Sequence, residues 1–538
     1  MGRVILLSGM GPTLGLASGD LKGTRFDLHI SESEIRRYYM IDGKNYDPVN
    51  LQITVDGQRR PLLHRKERKE SQALVTKILE NILITNGIEF ESIPLNQVWE
   101  NCQKTENVIE KPEVEIVCLS TTFMWSNEML KHAIQWIKDR YRYTHLILGG
   151  KYASLKKIAL MEQYKEIEYI ITGDGEESLP ALIKALRSDV QEIRNIPNLM
   201  FRDHGQIKEN GHRELHMAQM PLPEYAKNQE VVMYESMRGC VFSCKFCAWS
   251  TGSETFRFKS AEQIIEEWRY YAKEKNVKEI QVIDSNFFMP AKRMKILLEQ
   301  MPDLGIRWKA NARTDIKIDE SFVRKLEKSG CVSLKFGFES MSDVVLGYID
   351  KKSTAENNRL VNRYFSTSTI DTIDSFIIGF PGETLEEFEK TRDYLMKEHY
   401  GHFHLYIFEL EDQCMPIWAE REKYQIQLYE NDDSEKFWEH EGNKWAHCGM
   451  NYKQAEAMKT ETLRSIRKSS SQAVHRTWQG QFAYPLIPEK SRQWNLAVEK
   501  YIDQLVYLPV DYEVGSEEAA YKAKEILEKL KGLGIELP

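Results

Sequence analysis

The chain has 538 residues, more than one hydrophobic core can hold, so we expect two to four domains. It is 42% hydrophobic and 29% charged, as in soluble globular proteins, and no apolar run reaches the roughly 18 residues of a membrane span. A net charge of −8 does not favour nucleic acid, and eight cysteines in so long a chain argue against a secreted disulfide scaffold. We expect a cytoplasmic protein that binds neither nucleic acid nor membrane.

The N-terminal region predicts a doubly wound parallel sheet. After a first strand in "MGRVILLSG", buried strand patterns alternate with amphipathic helix patterns from about residue 70 to 190. Ligands bind at the carboxyl ends of such strands. Those ends carry hydroxyls and glycines that suit the approach of a large polar ligand, in "LSTTF" (119–123), "LGGKY" (148–152) and "TGDGEES" (172–178). The alternative is that the glycines only make tight turns.

An irregular insertion at residues 20–69 interrupts this alternation. The insertion ends with a run of charged residues that we interpret as a solvated face. A second alternating series starts near residue 230. Its six strand and helix units predict a partial parallel barrel, with the active site at the strand carboxyl ends. We divide the α/β chain into three domains: 1–215, 216–420, and a helical C-terminal domain at 421–538.

Three cysteines lie close together in "MRGCVFSCKFCAWS", as Cys240, Cys244 and Cys247. They follow the first barrel strand, where catalysis is expected. A structural zinc site normally needs four ligands, and no fourth Cys or His follows at close spacing. Three thiolates would leave one iron of a 4Fe–4S cluster open to substrate or cofactor, so we favour a cluster over a zinc knuckle.

This C-x3-C-x2-C motif after the first strand of a six-unit barrel resembles the radical SAM superfamily. The aromatic just before the third Cys, Phe246, and three segments at the barrel strand ends also match that family. The resemblance implies that Phe246 packs near the adenine of S-adenosylmethionine, and that Glu339 of "GFES", which begins at Gly337, meets the ribose. Arg313 of "WKANARTD" would face the methionine carboxylate, and Gly379 of "IIGFPGET" would lie near the adenine. The alternative for Glu339 and Arg313 is an ordinary salt-bridge network.

The upstream domain is similar to that of the cobalamin-dependent class of these enzymes. That similarity implies that the cobalamin tail and ring are lined by Ser120, Thr121, Gly149, Gly150, Gly173, Gly175 and Glu176. Many cobalamin domains carry D-x-H-x-x-G, whose His binds cobalt. Here Asp27 and His29 are present, but Glu32 stands in place of the glycine. We therefore expect base-off cobalamin without a His ligand, its lower face covered by the insertion.

The resemblance implies a methyltransferase that uses a 4Fe–4S cluster, S-adenosylmethionine and cobalamin. A 5′-deoxyadenosyl radical would activate an unactivated carbon, or a phosphinate phosphorus, of a natural-product precursor or peptide, and methylcobalamin would donate the methyl group. An electron donor such as flavodoxin or ferredoxin is implied. No protein acid or base is identified. The alternatives are a cyclase or ring-rearranging enzyme with the same cofactors, and a regulatory protein that senses cobalamin or redox state without turnover.

Other cysteines and one aromatic segment carry weaker signals. Cys118 and Cys331 lie in strand patterns and are expected to be core thiols. Cys414, after the sixth barrel strand, would lie near the barrel mouth, where it touches a ligand or is simply structural. The segment 444–459, "KWAHCGMNYKQAEAMK", is expected to pack in the core, with a lid over the substrate as the alternative.

Overall fold

A computed structural model describes residues 3–10, 39–41, 44–46, 52–55, 57–61, 73–100, 113–124, 126–247, 255–410, 413–429, 444–476, 490–513, 515–535 and 537. None of the helices in these ranges combines the length and the apolar character that a membrane crossing requires. Two seven-stranded sheets, one in each half of the chain, organise the fold. The fold class is α/β, as predicted.

The first sheet is the predicted doubly wound sheet. Its strands are β1 (Val4–Ser8), β2 (Phe90–Pro94), β3 (Glu113–Ser120), β4 (Arg142–Gly149), β5 (Tyr169–Ile171), β6 (Leu199–Asp203) and β7 (Gln206–Glu209). They are arranged in the order β7-β6-β5-β4-β3-β1-β2. Strands β1 to β5 are parallel, and β6 and β7 add an antiparallel edge. The strand order reverses between β1 and β3, so this is the switch point at which such sheets bind ligands.

Strand β1 shows why this sheet is covered on both faces. Its five residues are all buried. Successive side chains point to opposite faces, so Ile5 and Leu7 pack in one apolar core while Val4 and Leu6 pack in another. The predicted core thiol Cys118 belongs to the second of these cores, where burial raises its pKa to about 12.

The second sheet contains the six predicted barrel strands. They are β8 (Val231–Tyr234), β9 (Glu279–Val282), β10 (Arg307–Arg313), β11 (Cys331–Glu339), β12 (Asp371–Ile378) and β13 (Tyr400–Ile407). All neighbours are parallel and follow one another in chain order. The carboxyl ends of all six strands therefore lie at the same end of the barrel.

A seventh strand, β14 (Gln472–His475), pairs parallel with β13 and extends this sheet. It comes from the region 421–538, which was predicted to be helical. That expectation is corrected here, because part of the region is a barrel strand. Four residues are too few to show the two-residue alternation that marks a strand in sequence.

Fifteen α-helices lie within the described ranges. They are α1 (Leu74–Thr85), α2 (Gln97–Glu100), α3 (Asn127–Arg140), α4 (Lys151–Gln163), α5 (Ser178–Arg187), α6 (Ala261–Lys273), α7 (Ala291–Gln300), α8 (Glu320–Lys328), α9 (Asp343–Ile349), α10 (Ala355–Ser366), α11 (Leu385–Lys397), α12 (Tyr452–Lys468), α13 (Arg492–Val506), α14 (Leu508–Asp511) and α15 (Glu517–Gly532). Several begin at a side chain that accepts an amide hydrogen bond of the first turn, as Ser126, Ser260, Asp319, Thr384 and Asn451 do.

The described part of the insertion packs on the C-terminal helices. Tyr39, Ile41 and Tyr46 share an apolar core with α13 and α15, and the Tyr39 hydroxyl lies 3.1 Å from the carbonyls of Leu505 and Val506. Two short hairpins complete this part of the chain, Met40–Ile41 with Lys44–Asn45 and Gln52–Val55 with Gln58–Pro61. The proposed D-x-H motif residues Asp27, His29 and Glu32 lie outside the described residues.

The contribution of β14 can be tested with two substitutions on the same strand. Val474 is buried and lies in register with His402, whereas Gln472 is exposed. We expect Val474→Asp to lower the free energy of unfolding by about 3 kcal/mol or more, because it buries a charge without a partner. Gln472→Asp should change it by less than about 0.5 kcal/mol. Urea denaturation measures both, and equal midpoints would contradict the assignment of β14 to the barrel.

Candidate functional site

A buried polar cluster holds the chain where it leaves β8 and approaches the cysteines. The Asp284 carboxylate accepts hydrogen bonds from the amides of Ser236 (2.7 Å) and Met237 (3.2 Å) and from the Ser236 hydroxyl. The Arg293 guanidinium donates to the Ser236 carbonyl at 3.3 Å. Burial raises the pKa of Asp284 to about 6. These bonds fix the direction in which the cysteine loop starts.

The three cysteines lie on one loop at the carboxyl end of β8. Cys244 is buried, while Cys240 and Cys247 are half-buried. The loop is tied to its surroundings by its backbone, since the Lys245 amide donates to the Ile349 carbonyl at 2.9 Å. Within the described ranges, no three His, Cys, Asp or Glu side chains converge as a metal site would require. The fold thus supplies three thiols on one loop, the donor set that an iron–sulfur cluster uses, without gathering their sulfur atoms.

Arg313, at the end of β10, lies against the buried cysteine. Its Nη1 is 3.0 Å from the Cys244 Sγ, and its guanidinium is paired with the Asp315 carboxylate at 3.0 and 2.9 Å. It also lies 3.7 Å from the centre of the Phe242 ring. The guanidinium thus places a fixed positive charge beside one of the three thiols. Arg313 is therefore part of the salt-bridge network considered above, and it contacts the cysteine loop directly.

Glu339 and Gly337 form a compact group with a lysine that sequence reasoning missed. The Glu339 carboxylate pairs with the Lys351 amine at 2.6 Å, and both side chains are buried. A Cβ at Gly337 would lie 2.3 Å from this carboxylate, so only glycine lets Glu339 fold back over the strand. Glu339 has a φ of +62°, which non-glycine residues rarely adopt. Such strain is retained where the position of the side chain matters.

Lys351 connects most of the predicted S-adenosylmethionine residues. Its amine lies 5.7 Å from the centre of the Phe246 ring, and its carbonyl accepts a hydrogen bond from Arg313. Phe246, Gly337, Glu339 and Arg313 are therefore brought together at one end of the barrel. No sequence pattern marks Lys351, because its role depends on a partner twelve residues away on another element.

The glycine segment after β12 is covered by the aromatic segment 444–459. Gly379 has a φ of +87°, and a Cβ there would lie 2.3 Å from the Trp445 ring. Trp445 is buried and stacks on His447, with ring centres 5.0 Å apart. Burial lowers the pKa of His447 to about 4, so the ring is neutral at pH 7, and its Nε2 lies 3.2 Å from the Gly379 carbonyl. The segment packs in the core, as expected, and forms a wall beside Gly379.

The switch-point edge of the first sheet holds the predicted hydroxyls and glycines. Thr121 is fully buried, and its hydroxyl donates to the Gly149 carbonyl at 2.8 Å and accepts from the Ala153 amide at 2.9 Å. Gly150 has a φ of +98°, and a Cβ there would lie 2.7 Å from the Thr122 amide. These two residues join β3 to the start of α4. Ser120 pairs with Gly149 across the strands, at the end of both.

The loop after β5 carries Gly173, Gly175 and Glu176 to the barrel. Glu176 does not face open space, since its carboxylate pairs with Arg238 at 2.5 Å. Asp174 pairs with Arg238 and with Arg257, each at 2.6 Å. Gly173 and Gly175 stand on either side of Asp174. Sequence reasoning missed Asp174 and Arg238, because an ion pair between distant segments leaves no local pattern.

Two other cysteines lie on the surface near the barrel. Cys414 and Cys448 are both exposed. Cys448 is close to Tyr424 through a backbone hydrogen bond of 2.9 Å from its amide to the Tyr424 carbonyl. Cys331, by contrast, is buried in the barrel core as predicted.

Comparison with known proteins finds a family match in the part of the chain that forms the second sheet. Residues 234–395 match the family model of the radical SAM superfamily. An uncharacterized methyltransferase of Pyrococcus horikoshii is 28% identical over 267 residues, which cover 47% of this chain and 58% of that protein. An anaerobic magnesium-protoporphyrin IX monomethyl ester cyclase of Cereibacter sphaeroides is 25% identical over 297 residues, which cover 52% of this chain and 48% of that protein. The chain thus spans about half of the length of the curated relatives it matches.

A solved structure extends the similarity to both sheets. The radical S-adenosylmethionine methyltransferase TsrM of Kitasatospora setae, solved with cobalamin and a [4Fe-4S] cluster bound, superposes with a TM-score of 0.60. The match covers 85% of this chain and 96% of that one, at 15% sequence identity. At this identity the likeness establishes the fold. Together with the family match, it confirms the predicted resemblance to the cobalamin-dependent radical SAM class.

The carboxyl of Glu383, four residues after Gly379, makes the stability of the protein depend on pH. It is fully buried and accepts a hydrogen bond from the Gly379 amide at 2.6 Å, and burial raises its pKa to about 8. Between pH 5 and pH 8 the unfolded chain has released this proton and the folded chain has kept it. The free energy of unfolding should therefore fall as the pH rises, by up to about 1.4 kcal/mol per pH unit.

Glu383→Gln should remove this pH dependence between pH 5 and pH 8. Urea unfolding at four pH values measures it, and Glu386→Gln is the matched control because Glu386 is exposed on the next turn. We expect the control to keep the slope of the original protein. A Glu383→Gln variant with an unchanged slope would show that this carboxyl is ionised in the folded protein.

Proposed function

We propose that this chain, a radical SAM protein of the cobalamin-dependent class, is a methyltransferase that acts on an unactivated carbon, or a phosphinate phosphorus, of a small natural-product precursor. One observation carries the proposal. The cysteine loop lies at the carboxyl end of the first barrel strand, and two residues before Cys240 the chain is ion-paired to the ligand-binding edge of the doubly wound sheet. That arrangement suits a reaction that needs two cofactors side by side.

The residues present fit both cofactors. Cys240, Cys244 and Cys247 would hold a 4Fe–4S cluster, and Arg313 would offset part of its negative charge. Phe246, Gly337, Glu339 and Gly379 would bind S-adenosylmethionine at the same end of the barrel. For cobalamin we propose the edge formed by Ser120, Gly149, Gly173 and Gly175, with Thr121, Gly150 and Glu176 shaping that edge through their contacts with the protein.

When bound there, the cluster would supply the electron that cleaves S-adenosylmethionine, and cobalamin would carry the methyl group. The chain itself binds, orients and excludes water. Lys351 holds the Glu339 carboxylate at 2.6 Å in one position, and Trp445 closes the wall behind Gly379. Neither residue is placed to move a proton between reactants, and we assign no protein acid or base.

The two curated relatives differ in reaction, one named a methyltransferase and the other a cyclase. A cyclase or ring-rearranging enzyme with the same cofactors is therefore the second candidate. We favour methyl transfer because TsrM, one of the structural neighbours that align along both sheets, is named a methyltransferase. We also propose 1–215 as the first domain and 216–420 as the main part of the second, which β14 from the region 421–538 extends. We further propose a cytoplasmic location, and flavodoxin or ferredoxin as the electron donor.

The cluster assignment predicts the effect of removing its ligands. Cys240, Cys244 and Cys247 replaced together by Ala should abolish binding of iron and sulfide after anaerobic reconstitution, because thiolates are the ligands of such clusters. Corrinoid binding should persist, since that site belongs to the first sheet. Cys414→Ala and Cys448→Ala are matched controls that should keep all the iron. Four irons retained in the triple variant, or stoichiometric zinc in the original protein, would overturn the assignment.

Stoichiometry separates methyl transfer from cyclisation. Each methylated product should be accompanied by one S-adenosylhomocysteine and one 5′-deoxyadenosine, because one S-adenosylmethionine supplies the methyl group and another is cleaved for its radical. With S-adenosylmethionine deuterated at the methyl group, mass spectrometry should find the label in the product. A product formed at normal yield without label, together with 5′-deoxyadenosine but no matching S-adenosylhomocysteine, would favour the cyclase.

A further inference from the structure

Strand β11 has one face towards the helices and one face towards the inside of the barrel. On the outer face, Leu334, Phe336 and Phe338 pack in the apolar core between the sheet and its helices. Because successive side chains alternate, Lys335 points to the opposite face, which it shares with Gly337 and Glu339. The inside of the barrel opens towards the carboxyl ends of the strands. The β13 residue in register with Lys335 is the buried His402, and four residues beyond it the inward-facing Tyr406 is 44% exposed.

Lys335 differs from the other cations on this face in lacking a carboxylate partner. Lys309 pairs with Glu279 at 3.1 Å, Lys351 pairs with Glu339 at 2.6 Å, and Arg313 pairs with Asp315 at 2.9 Å. Within the parts of the chain that the structure describes, no acidic group lies within ion-pair distance of the Lys335 amine. Its amine lies 5.4 Å from the centre of the Tyr406 ring, and the charge of Glu339, which is itself paired with Lys351, acts on it from further along the strand. Lys335 is thus a cation without an ion-pair partner among the described residues.

A buried hydroxyl without a partner lies nearby. Ser375 on β12 pairs in register with Gly337, two residues beyond Lys335, and with His404 on β13. Its Oγ is buried and makes no hydrogen bond with the described residues. Strand spacings of about 4.8 Å and rises of about 3.3 Å per residue put the Cα atoms of Lys335 and Ser375 about 8 Å apart. A buried hydroxyl without a partner is costly, so a ligand that bonds it would gain stability.

The neighbouring histidine adds no second charge. Burial lowers the pKa of His404 to about 3, with the nearby charges of Lys335 and Arg476 lowering it further, so the ring is neutral at pH 7. It is hydrogen-bonded to the Tyr406 hydroxyl at 2.7 Å. Burial also lowers the pKa of Lys335, which an anion at its amine would reverse. One lysine and one hydroxyl match a singly charged carboxylate better than a phosphate, which carries more charge.

We propose that Lys335 and Ser375 bind a carboxylate of the substrate inside the barrel, and that the substrate is therefore a carboxylic acid. This rests on the proposed function, because the barrel has to open towards the S-adenosylmethionine residues. Lys335 lies two residues, about 6.6 Å, before the layer of Gly337 and Arg313. A molecule held by Lys335 extends from there towards that layer, beside the Tyr406 ring.

The test measures the accessibility of the Lys335 amine and needs no turnover. The full chain, reconstituted anaerobically, is acetylated briefly with sulfo-N-hydroxysuccinimide acetate, and mass spectrometry quantifies modification of the peptide that contains Lys335. The probes are benzoate, hexanoate and indole-3-acetate, each paired with its neutral amide, and inorganic phosphate. We expect at least one acid to slow acetylation of Lys335 about five-fold or more, while its amide and phosphate do not. Acetylation of the exposed Lys390 is the internal reference.

Variants assign the effect to the two residues. In Ser375→Ala, the acid should have to be about ten-fold more concentrated to protect Lys335 equally well, because a hydrogen bond to a charged group is lost. Calorimetric binding of that acid should disappear in Lys335→Met and persist in Lys335→Arg, which keeps the charge. Iron content and the thermal unfolding midpoint show whether each variant folds, and the labelling of the original protein stands without any variant.

If none of the three acids slows acetylation of Lys335, the proposal is overturned. Equal protection by phosphate or by the neutral amides also overturns it. S-adenosylhomocysteine and 5′-deoxyadenosine, measured on the same preparation, report on the proposed function separately. Protection without those products supports the carboxylate site and contradicts the methyltransferase. Those products without protection support the methyltransferase and contradict the carboxylate site.

Discussion

The guanidinium of Arg238 is the contact on which the arrangement of the two sheets depends. It is ion-paired with Asp174 and Glu176 of the first sheet at 2.6 and 2.5 Å, and with Glu235 of the barrel at 3.0 Å. All four side chains are mostly buried. Burial raises the pKa of Asp174, but the charges of Arg238 and Arg257 outweigh it and hold that pKa below its usual value. Removing one partner from such a cluster leaves an unpaired buried charge and costs about 3–5 kcal/mol.

This ion-pair cluster joins the two sheets at the edges that we propose for the cofactors. Asp174 and Glu176 follow β5 at the carboxyl edge of the doubly wound sheet, and Arg238 lies two residues before Cys240 at the carboxyl end of β8. A shift of this contact would move the cysteine loop relative to the edge proposed for cobalamin. The Asp284 and Ser236 hydrogen bonds fix the other side of the same segment. The start of the cysteine loop is therefore held from both sheets.

Most strands and the cysteine motif could be predicted from local sequence. The features that sequence reasoning missed share one cause. Strands such as β3 and β11 have enough alternating or continuous apolar residues to be recognised, and Cys240, Cys244 and Cys247 have a spacing that needs no partner elsewhere. The lysine that pairs with Glu339, the arginine that pairs with Asp174 and the short strand β14 have no such local pattern. Their identity depends on which distant residues the fold brings together. For the same reason Thr121 and Glu176, chosen as ligand contacts, bond mainly to the protein itself.

We propose that the two cofactor sites lie side by side because Arg238 joins the sheets that carry them. Pulsed electron paramagnetic resonance of the anaerobic protein with cob(II)alamin tests it most directly, by comparing the spin relaxation of cobalt with the cluster oxidised and reduced. Relaxation should be markedly faster when the cluster is reduced. The effect should weaken in Arg238→Met and be largely kept in Arg238→Lys. Relaxation of bound cob(II)alamin that does not change on reduction of the cluster would contradict the claim.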